Sequence, residues 1–561
     1  MKTAAWLSTL FLASSLNYSY LANAETVDRP SAAQPTLPNY TPSNQPFILP
    51  PVLPSNTLAL DLINTTRRVF IKQFHLIGNR LFSEQTLHAF VTPYENREVS
   101  ISELENLRQQ LSHYYTDAGY IDSGAEFVAD SFHDGELTIR FIEGHIDEIR
   151  LQGLGRLQES YIAQRLLKNP QQPLNINELQ ENFQKLLTNP LIKQMNGRIL
   201  PTNTLGHSIL DITVTRAPTF HWSLLTNNYR PPSIGAQAFA LNTQIDNLTG
   251  YGDSLDFSFV TSEGSNRYAG GFKVPLTASD TQAFFHFDEG DSSLIETPLS
   301  NLNITSQIHS LEGGLSQPLI NQLQQKLIIG TLLAVREDET TLLNAPFPLV
   351  GTQAHNQVSV WRTFQDYSHN WQRHALALRS TFSLGINALG ATRKTSNQLP
   401  SSEFFAWLGQ GQYAYLVHQN SGTQAVVRGN AQFSDLPLLP LERLAVGGVN
   451  TVRGYRQNYL VRDAGYNVSV ELHYPLLGGA DSSAKVAQRL TLIPFVDYGQ
   501  AWNHAENADT IYSLGIGFHW QYRFVQSELF YAHALSHPVA QQDTDIQDDG
   551  IHFQVKLADA F

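Results

Sequence analysis

The C-terminal part of the chain, from about Thr219 to Phe561, consists of short segments in which apolar and polar residues alternate. In one segment Leu255, Phe257 and Phe259 share a face, and clusters of Gly, Asn, Asp and Ser separate the segments. This alternation is the pattern of a strand with one apolar and one polar face. A soluble β-sandwich explains any single segment, but such a long run of strands rich in exposed aromatic residues is typical of a transmembrane barrel. We predict roughly 16 antiparallel strands, at about 21 residues for each strand and its connection.

The first 24 residues have the composition of a secretory signal peptide. Lys2 precedes a short apolar run, and Ala22-Asn23-Ala24 offers the small residues of a cleavage site. We therefore expect the chain to be exported and the signal peptide to be cleaved after Ala24. No later apolar run approaches the ~20 residues of a membrane-spanning helix, and any membrane span is therefore predicted to be β-structure.

Residues 25–67 are predicted to form a proline-rich linker. Prolines occur at positions 30, 35, 38, 42, 46, 50, 51 and 54. Because proline lacks a backbone N–H and fixes its φ angle, this spacing excludes a helix and favours extended polyproline segments. We therefore expect a flexible or semi-rigid tether.

Two similar modules follow the linker, at an offset of about 75 residues. Gly78 corresponds to Gly153, and the helix start Ser100-x-x-Glu103 corresponds to a second helix start with Asn175. Both helix starts resemble capping boxes, which satisfy the free N–H groups of a first helical turn. We predict a β-α-α-β-β module over residues 68–144 and a second one over residues 145–217.

The barrel region contains two stretches that offer opposite charges. One is an apolar strand that ends at Gly447-Gly448 and continues as a loop with Arg453; the other, over residues 493–499, is an apolar strand with Asp497. An ion pair between them matters if both charges lie in a confined and partly dry space. The alternative is an exposed arginine and an unrelated strand-end aspartate. Spacing alone leaves both interpretations open.

Both stretches resemble motifs of the Omp85 superfamily of outer-membrane barrels. The first is similar to the VRGY motif of that superfamily and consists of Val452, Arg453, Gly454 and Tyr455. The second is similar to the partner motif in the barrel wall and contains Phe495 and Asp497. The resemblance implies that the loop folds back into the barrel and that Arg453 pairs with Asp497. A charge pair in the lumen that holds the loop in one of two positions would make the loop a gate, and we predict this role for it.

The duplicated module resembles the POTRA domain, which offers an edge strand and a groove to an extended client chain. With two copies of this module, rather than the larger sets of barrel-assembly proteins, the chain resembles the two-partner secretion transporters of the haemolysin secretion/activation type. Such transporters usually carry an N-terminal helix that plugs the barrel, followed by a proline-rich linker. Here prolines interrupt the corresponding place, so the sequence leaves open whether the plug is absent, very short or replaced by an extended segment.

The last residues resemble the assembly signal of bacterial outer-membrane barrels. Ile551, Phe553, Val555 and Leu557 alternate with polar residues, and Phe561 is a terminal aromatic residue. The resemblance implies that the barrel assembly machinery recognises this segment and inserts the protein among the outer-membrane lipids.

The resemblance as a whole implies an outer-membrane transporter with its POTRA domains in the periplasm. It would recognise an unfolded exoprotein of the haemolysin, adhesin or haem-binding type and translocate this partner through the barrel to the cell surface. One alternative is an assembly factor that inserts other outer-membrane proteins. Another is a passive porin, although a porin needs no periplasmic docking modules.

No motif of an enzyme occurs in the sequence. It contains no G-x-S-x-G elbow, no H-E-x-x-H helix and no glycine-rich phosphate loop. The 19 histidines are scattered and there is no cysteine, so we expect no metal site and no cofactor. The formal net charge of -14 argues against a nucleic-acid partner, since neutralising phosphates requires a basic face.

Overall fold

The computed structural model describes residue 37 and the ranges 68–128, 131–297, 299–346, 355–396, 399–478, 488–538 and 544–559. The predicted signal peptide over residues 1–24, all of the predicted linker except Leu37, and Phe561 lie outside these residues. The chain divides into two compact units, one of Met1–Pro42 with Pro218–Phe561 and one of Ser43–Ala217. No helix in the described ranges is long and apolar enough to cross a membrane.

The first module combines a small sheet with two helices. Its elements are β1 (Arg68–Ile71), β2 (Gln73–Ile77), α1 (Glu84–Val91), β3 (Arg97–Ser100), α2 (Ile101–Asp117), β4 (Gly124–Phe127) and β5 (Glu136–Ile142). β5 pairs in parallel with β2 and antiparallel with β4, while β1 and β3 form a separate ladder. Leu107, Leu111 and Tyr115 lie on one face of α2 and are fully buried in the same core as Ile139. The predicted β-α-α-β-β order is present, with β1 and β3 added.

The second module repeats this plan without the additional ladder. It consists of β6 (His145–Gln152), α3 (Glu159–Leu166), α4 (Ile176–Leu187), β7 (Ile192–Pro201) and β8 (His207–Arg216). β8 lies between β6, its parallel neighbour, and β7, its antiparallel neighbour. Leu179 and Phe183 of α4 pack in one core with Leu210 and Ile212 of β8. The Asn175 side chain caps α4 by accepting from the backbone N–H groups of Asn177 and Glu178.

Sixteen strands of the described residues close into an antiparallel barrel, because β27 pairs with β9. The two-residue β16 (Ala345–Pro346) only borders β15. The barrel strands are β9 (Phe220–Asn227), β10 (Ala238–Asp246), β11 (Ser254–Ser262), β12 (Ser265–Pro275), β13 (Gln282–Ser293), β14 (Thr305–Asn321), β15 (Gln325–Leu342), β17 (His355–Trp371), β18 (His374–Ile386), β19 (Phe405–His418), β20 (Thr423–Ser434), β23 (Ala464–Leu477), β24 (Gln488–Trp502), β25 (Asp509–Tyr522), β26 (Val525–Ala534) and β27 (Ile551–Ala558). The predicted fold class, a barrel of about 16 strands preceded by POTRA-like modules, is confirmed.

The outer face of the barrel is apolar and its inner face is largely polar. Leu255 and Phe257 of β11 are exposed on the outer face. Ser258, the residue after Phe257, is buried on the inner face. We call the end of the barrel that holds the start of β9 the proximal rim and the opposite end the distal rim. Most connections at the distal rim are longer than those at the proximal rim, an asymmetry that bacterial outer-membrane barrels share.

One distal connection folds into the barrel. Residues 435–463 leave β20 and return to β23, and within them β21 (Leu444–Val446) and β22 (Leu460–Arg462) form an antiparallel hairpin. We call residues 435–463 the inward loop. Its tip, between the two short strands, carries the VRGY residues, and all four of them are buried.

Candidate functional site

Arg453 lies at the tip of the inward loop and its side chain is completely buried. Its Nε donates to Oδ2 of Asp497 at 2.8 Å, and its Nη2 donates to Oδ1 of the same carboxylate at 2.8 Å. The backbone N–H of Arg453 donates to Oδ2 as well, at 2.9 Å. Asp497 projects inward from β24 and is also fully buried. Two parallel hydrogen bonds between a guanidinium and a carboxylate fix both the position and the orientation of the arginine. They therefore hold the loop tip at one place on the barrel wall.

A second carboxylate contacts the same guanidinium. Nη2 of Arg453 lies 2.8 Å from Oε1 of Glu471 and donates to Oγ of Ser469 at 2.7 Å. Glu471 also pairs with Arg428 at 2.9 Å and contacts Nε2 of His473 at 2.8 Å. The two arginines and two carboxylates balance in charge, which makes their joint burial tolerable.

Glu471 was not among the site residues predicted from the sequence. The alternation of side chains along the strand does show which way Glu471 points. Ser469 and Glu471 are two residues apart and therefore lie on the same face of β23. Ser469 is the register partner of Asp497 on β24. Only this register, which the sequence does not reveal, shows that Glu471 lies within reach of Arg453.

Two aromatic rings cover the guanidinium where it has no carboxylate. The Cζ atom of Arg453 lies 3.4 Å from the ring centre of Phe495 and 5.2 Å from that of Phe530. Nη1 of Arg453 has no hydrogen-bond partner among the described residues. A cation over an aromatic face gains attraction from the ring quadrupole, and this partly replaces the missing hydrogen bond. Phe495, predicted in the barrel wall beside Asp497, thus contacts the arginine directly.

Two glycines allow the loop tip to approach the wall. Gly454 has a φ of 90°, and a Cβ at this position would lie 3.1 Å from the backbone oxygen of Ala532. Gly499 lies in the wall, where a Cβ would lie 2.6 Å from Val446 and 2.8 Å from Val452. A side chain at either position would push the loop away from β24 or β26, because interiors are closely packed.

Tyr455 ties the loop tip to two further parts of the wall. Its hydroxyl oxygen lies 2.9 Å from the carbonyl oxygen of Tyr512 and 2.8 Å from that of Ser536. It also accepts from the backbone N–H groups of both residues, at 3.2 Å each. Val452 and the Tyr455 ring pack with Ile511 in a small apolar cluster. The four VRGY residues therefore combine charge, backbone freedom and apolar contact in one tip.

Further charges hold the inward loop on both sides of its tip. Near its start Glu442 pairs with Arg362 of β17 at 2.6 Å and with Arg336 of β15 at 3.3 Å. Beyond the tip, Arg456 pairs with Glu296 at 2.8 Å and with Asp548, both in distal connections. None of these partners was singled out from the sequence, because they are distant from the loop along the chain.

These features invite comparison with known proteins. The family profile described as "Haemolysin secretion/activation protein ShlB/FhaC/HecB" matches residues 206–520, which is more than half of the chain. The chain belongs to the haemolysin secretion/activation family. A second profile, described as a POTRA domain of the ShlB type, matches residues 69–144. The resemblance inferred from the sequence is therefore confirmed.

Individual members of the haemolysin secretion/activation family are distant in sequence. The outer membrane transporter CdiB of Dickeya dadantii (strain 3937) is 23% identical over 499 residues, which cover 86% of this chain and 84% of that protein. The heme/hemopexin transporter protein HuxB of Haemophilus influenzae (strain 86-028NP) is 22% identical over 401 residues, or 68% of each chain. The solved structure of CdiB from Escherichia coli superimposes with a TM-score of 0.67 at 18% identity, covering 90% of this chain and 92% of that one.

As a member of this family the protein is an outer-membrane transporter of two-partner secretion, with its barrel in the outer membrane and its POTRA modules in the periplasm. Transporters of this class work with secreted exoproteins. The family is one of transporters and not of enzymes. The match favours secretion over the assembly-factor and porin alternatives. The roles of the loop and wall residues remain predictions.

Proposed function

We propose that the transporter passes an unfolded exoprotein of the haemolysin, adhesin or haem-binding type through its barrel, and that the inward loop is the gate. The observation that carries the gate is the burial of Arg453 between Asp497 and Glu471. A charge removed from water is stable there only while its partners are present. The loop is thereby held in one position until another set of contacts replaces this one.

The anchors of the loop lie on separate parts of the wall, which supports the same proposal. Glu442 contacts β15 and β17, whereas Arg453 contacts β23 and β24. A loop held at both places crosses the lumen between them. A translocating chain needs that space, so the loop must leave at least one anchor. Two alternative positions of one element, biased by the presence of client, are what a gate requires.

The POTRA modules are the proposed docking sites for the client. In the strand order β2-β5-β4 the short β4 has one side without a partner among the described strands, and β7 occupies the corresponding place in β6-β8-β7. An extended segment that adds itself to such an edge gains backbone hydrogen bonds independently of its sequence. This mode suits a client that arrives unfolded.

We further propose that the protein performs no chemistry on its client. Its remaining partners would be the outer-membrane lipids around the apolar band of the barrel and the barrel assembly machinery. The latter would read the alternating β27 together with Phe561, which lies outside the described residues.

The test compares secreted and surface proteins, by mass spectrometry, between cells with and without the gene. We expect one large exoprotein to disappear from the outside and to accumulate or be degraded in the periplasm. A simultaneous loss of many outer-membrane barrels would instead identify an assembly factor and overturn the proposal. Re-expression of the wild-type gene must restore export, which controls for effects on neighbouring genes.

A further inference from the structure

Two histidines of the second POTRA module lie side by side at the start of its parallel strand pair. His145 opens β6 and His207 opens β8, and the two residues are direct register partners. Their ring centres are 4.5 Å apart. In the sequence they belong to different strands, which is why the scattered histidines indicated no site.

A bulge in β6 brings a carboxylate to the same place. Ile146 pairs with Ser208 and Glu148 with Ile209, so Asp147 is the extra residue without a register partner. The hydrophobic core explains the bulge: Ile146 and Ile149 both face it, and an odd spacing of three residues requires one additional residue in a strand. The bulge thus allows both isoleucines to pack in the core, and it also places Asp147 beside the two histidines.

The carboxylate of Asp147 contacts both imidazoles. One of its oxygens lies 3.1 Å from Nε2 of His145, and both of its oxygens lie 2.9 Å from Nδ1 of His207. One ligand atom from each of the three residues lies within 4.8 Å of the other two. Tetrahedral Zn²⁺ with bonds of about 2.0–2.1 Å needs ligand atoms about 3.4 Å apart, so small side-chain rotations suffice.

The cluster borders the contact between the two modules. Asp122, from the α2–β4 connection of the first module, is only 8% exposed and accepts from Oγ of Ser208 at 2.5 Å. The backbone N–H of Ile176 donates to the carbonyl oxygen of Gly119 at 2.9 Å, and Nδ2 of Asn175 donates to the carbonyl oxygen of Ala118 at 3.2 Å. The two modules are therefore tightly apposed here, and a buried carboxylate adds negative charge close to the histidines.

We propose that His145, Asp147 and His207 bind a divalent transition-metal ion of the Zn²⁺ type, which fastens the start of β6 to that of β8 at the contact between the modules. Two imidazoles and one carboxylate are a donor set that Zn²⁺ accepts, with the fourth position left to water. The side chains are between 23% and 40% exposed, so an ion can reach them from the periplasm. This site is independent of the proposed gate.

The experiment titrates Zn²⁺ into the full-length protein in detergent, purified without a histidine tag and stripped with a chelator. Calorimetry is expected to show one Zn²⁺ per chain with a higher thermal unfolding temperature, because a ligand that binds only the folded state stabilises it. His145→Ala and His207→Ala are each expected to weaken binding by about tenfold or more, since even changes around metal ligands have effects of this size. Substituting Co²⁺ should give the intense visible absorption of a tetrahedral site.

His113→Ala is the matched control, because this exposed histidine on α2 lies outside the cluster. It should bind Zn²⁺ as the wild type does. Asp147→Asn, which keeps the side-chain shape, replaces the alanine variants if they fail to fold. The proposal is overturned if the wild type binds Zn²⁺ no more tightly than the His145→Ala and His207→Ala variants or Asp147→Asn, or if His113→Ala weakens binding equally.

Discussion

At the scale of single residues, the environment of Arg453 is specific in both charge and shape. Asp497 accepts two hydrogen bonds from the edge of the guanidinium, and Glu471 and Ser469 both contact its Nη2 atom. Phe495 covers the flat face of the guanidinium. A lysine offers one point charge and no planar fork, so it cannot reproduce this set of contacts. Removing either charge leaves its partner buried and uncompensated, which costs about 3–5 kcal/mol.

The replacement Arg453→Ala is expected to leave the amount of barrel in the outer membrane unchanged and to reduce export about tenfold or more. The strand ladders that form the barrel do not involve this side chain, whereas the held position of the loop depends on a pair worth about 3–5 kcal/mol. Immunoblots of the secreted exoprotein and of the membrane fraction measure the two quantities. Arg373→Ala, at an exposed proximal turn, is the matched control. Wild-type export by Arg453→Ala would exclude the gate role.

At the scale of elements, α2 shows how local sequence sets a boundary. Ser100 accepts from the backbone N–H of Glu103, and the Glu103 carboxylate accepts from the backbone N–H of Ser100 at 2.8 Å. This is the reciprocal capping box that the spacing of the two residues predicts. Arg97 adds a contact to the carboxylate at 2.8 Å. The backbone hydrogen bond to Ser100, followed by the contacts with Arg97, lowers the pKa of Glu103 from 4.5 to about 2.

This pKa predicts how the helix start responds to acid. A carboxyl whose pKa is lower in the folded state contributes stability above its unfolded pKa and loses it as the pH falls towards the folded value. We expect Glu103→Ala to be less stable than the wild type at pH 7, with a difference that shrinks between pH 4.5 and about pH 2. Thermal unfolding followed by circular dichroism across this range measures the difference. Glu98→Ala, an exposed acidic residue on β3, should show no such convergence; a Glu103→Ala difference that stays constant with pH would contradict the capping role.

At the scale of the whole molecule, the inward loop turns a closed barrel into one whose lumen is occupied. Its hairpin packs on Ile511 and Ala501 through Val446 and Val452, and its first residues pack against β17 and β19 through Leu438 and Leu439. Because these contacts lie on different strands, no single strand determines the position of the loop. Displacement of the loop therefore requires that its contacts with several strands of the closed barrel break.

Locking the loop to the wall is expected to stop export. The chain has no cysteine, and a Cβ at Gly499 would lie 2.6 Å from Cγ1 of Val446. The pair Val446→Cys and Gly499→Cys therefore brings two sulfur atoms within bonding reach. We expect oxidation to block export and a reductant to restore it, while Val446→Cys alone exports under both conditions. Undiminished export by the fully oxidised pair would show that the loop need not move.

Features that depend on neighbours along the chain can be predicted from the sequence. Alternation in β11 specifies a strand with an apolar outer face, since successive side chains point to opposite sides. The repeated helix starts at Ser100 and Asn175 specify the two modules, and the motif around Arg453 marks the loop. These signals are local in period or spacing, so they survive without knowledge of the fold.

Contacts between residues that are distant along the chain depend on the three-dimensional fold. Asp497 faces Ser469 because of the register between β23 and β24, and Glu471 reaches Arg453 for the same reason. Likewise, 60 residues separate Asp147 from His207, and a bulge demanded by the core brings them together. Register, bulges and closure follow from packing between segments far apart in the chain, and a linear pattern carries no distance information about such pairs.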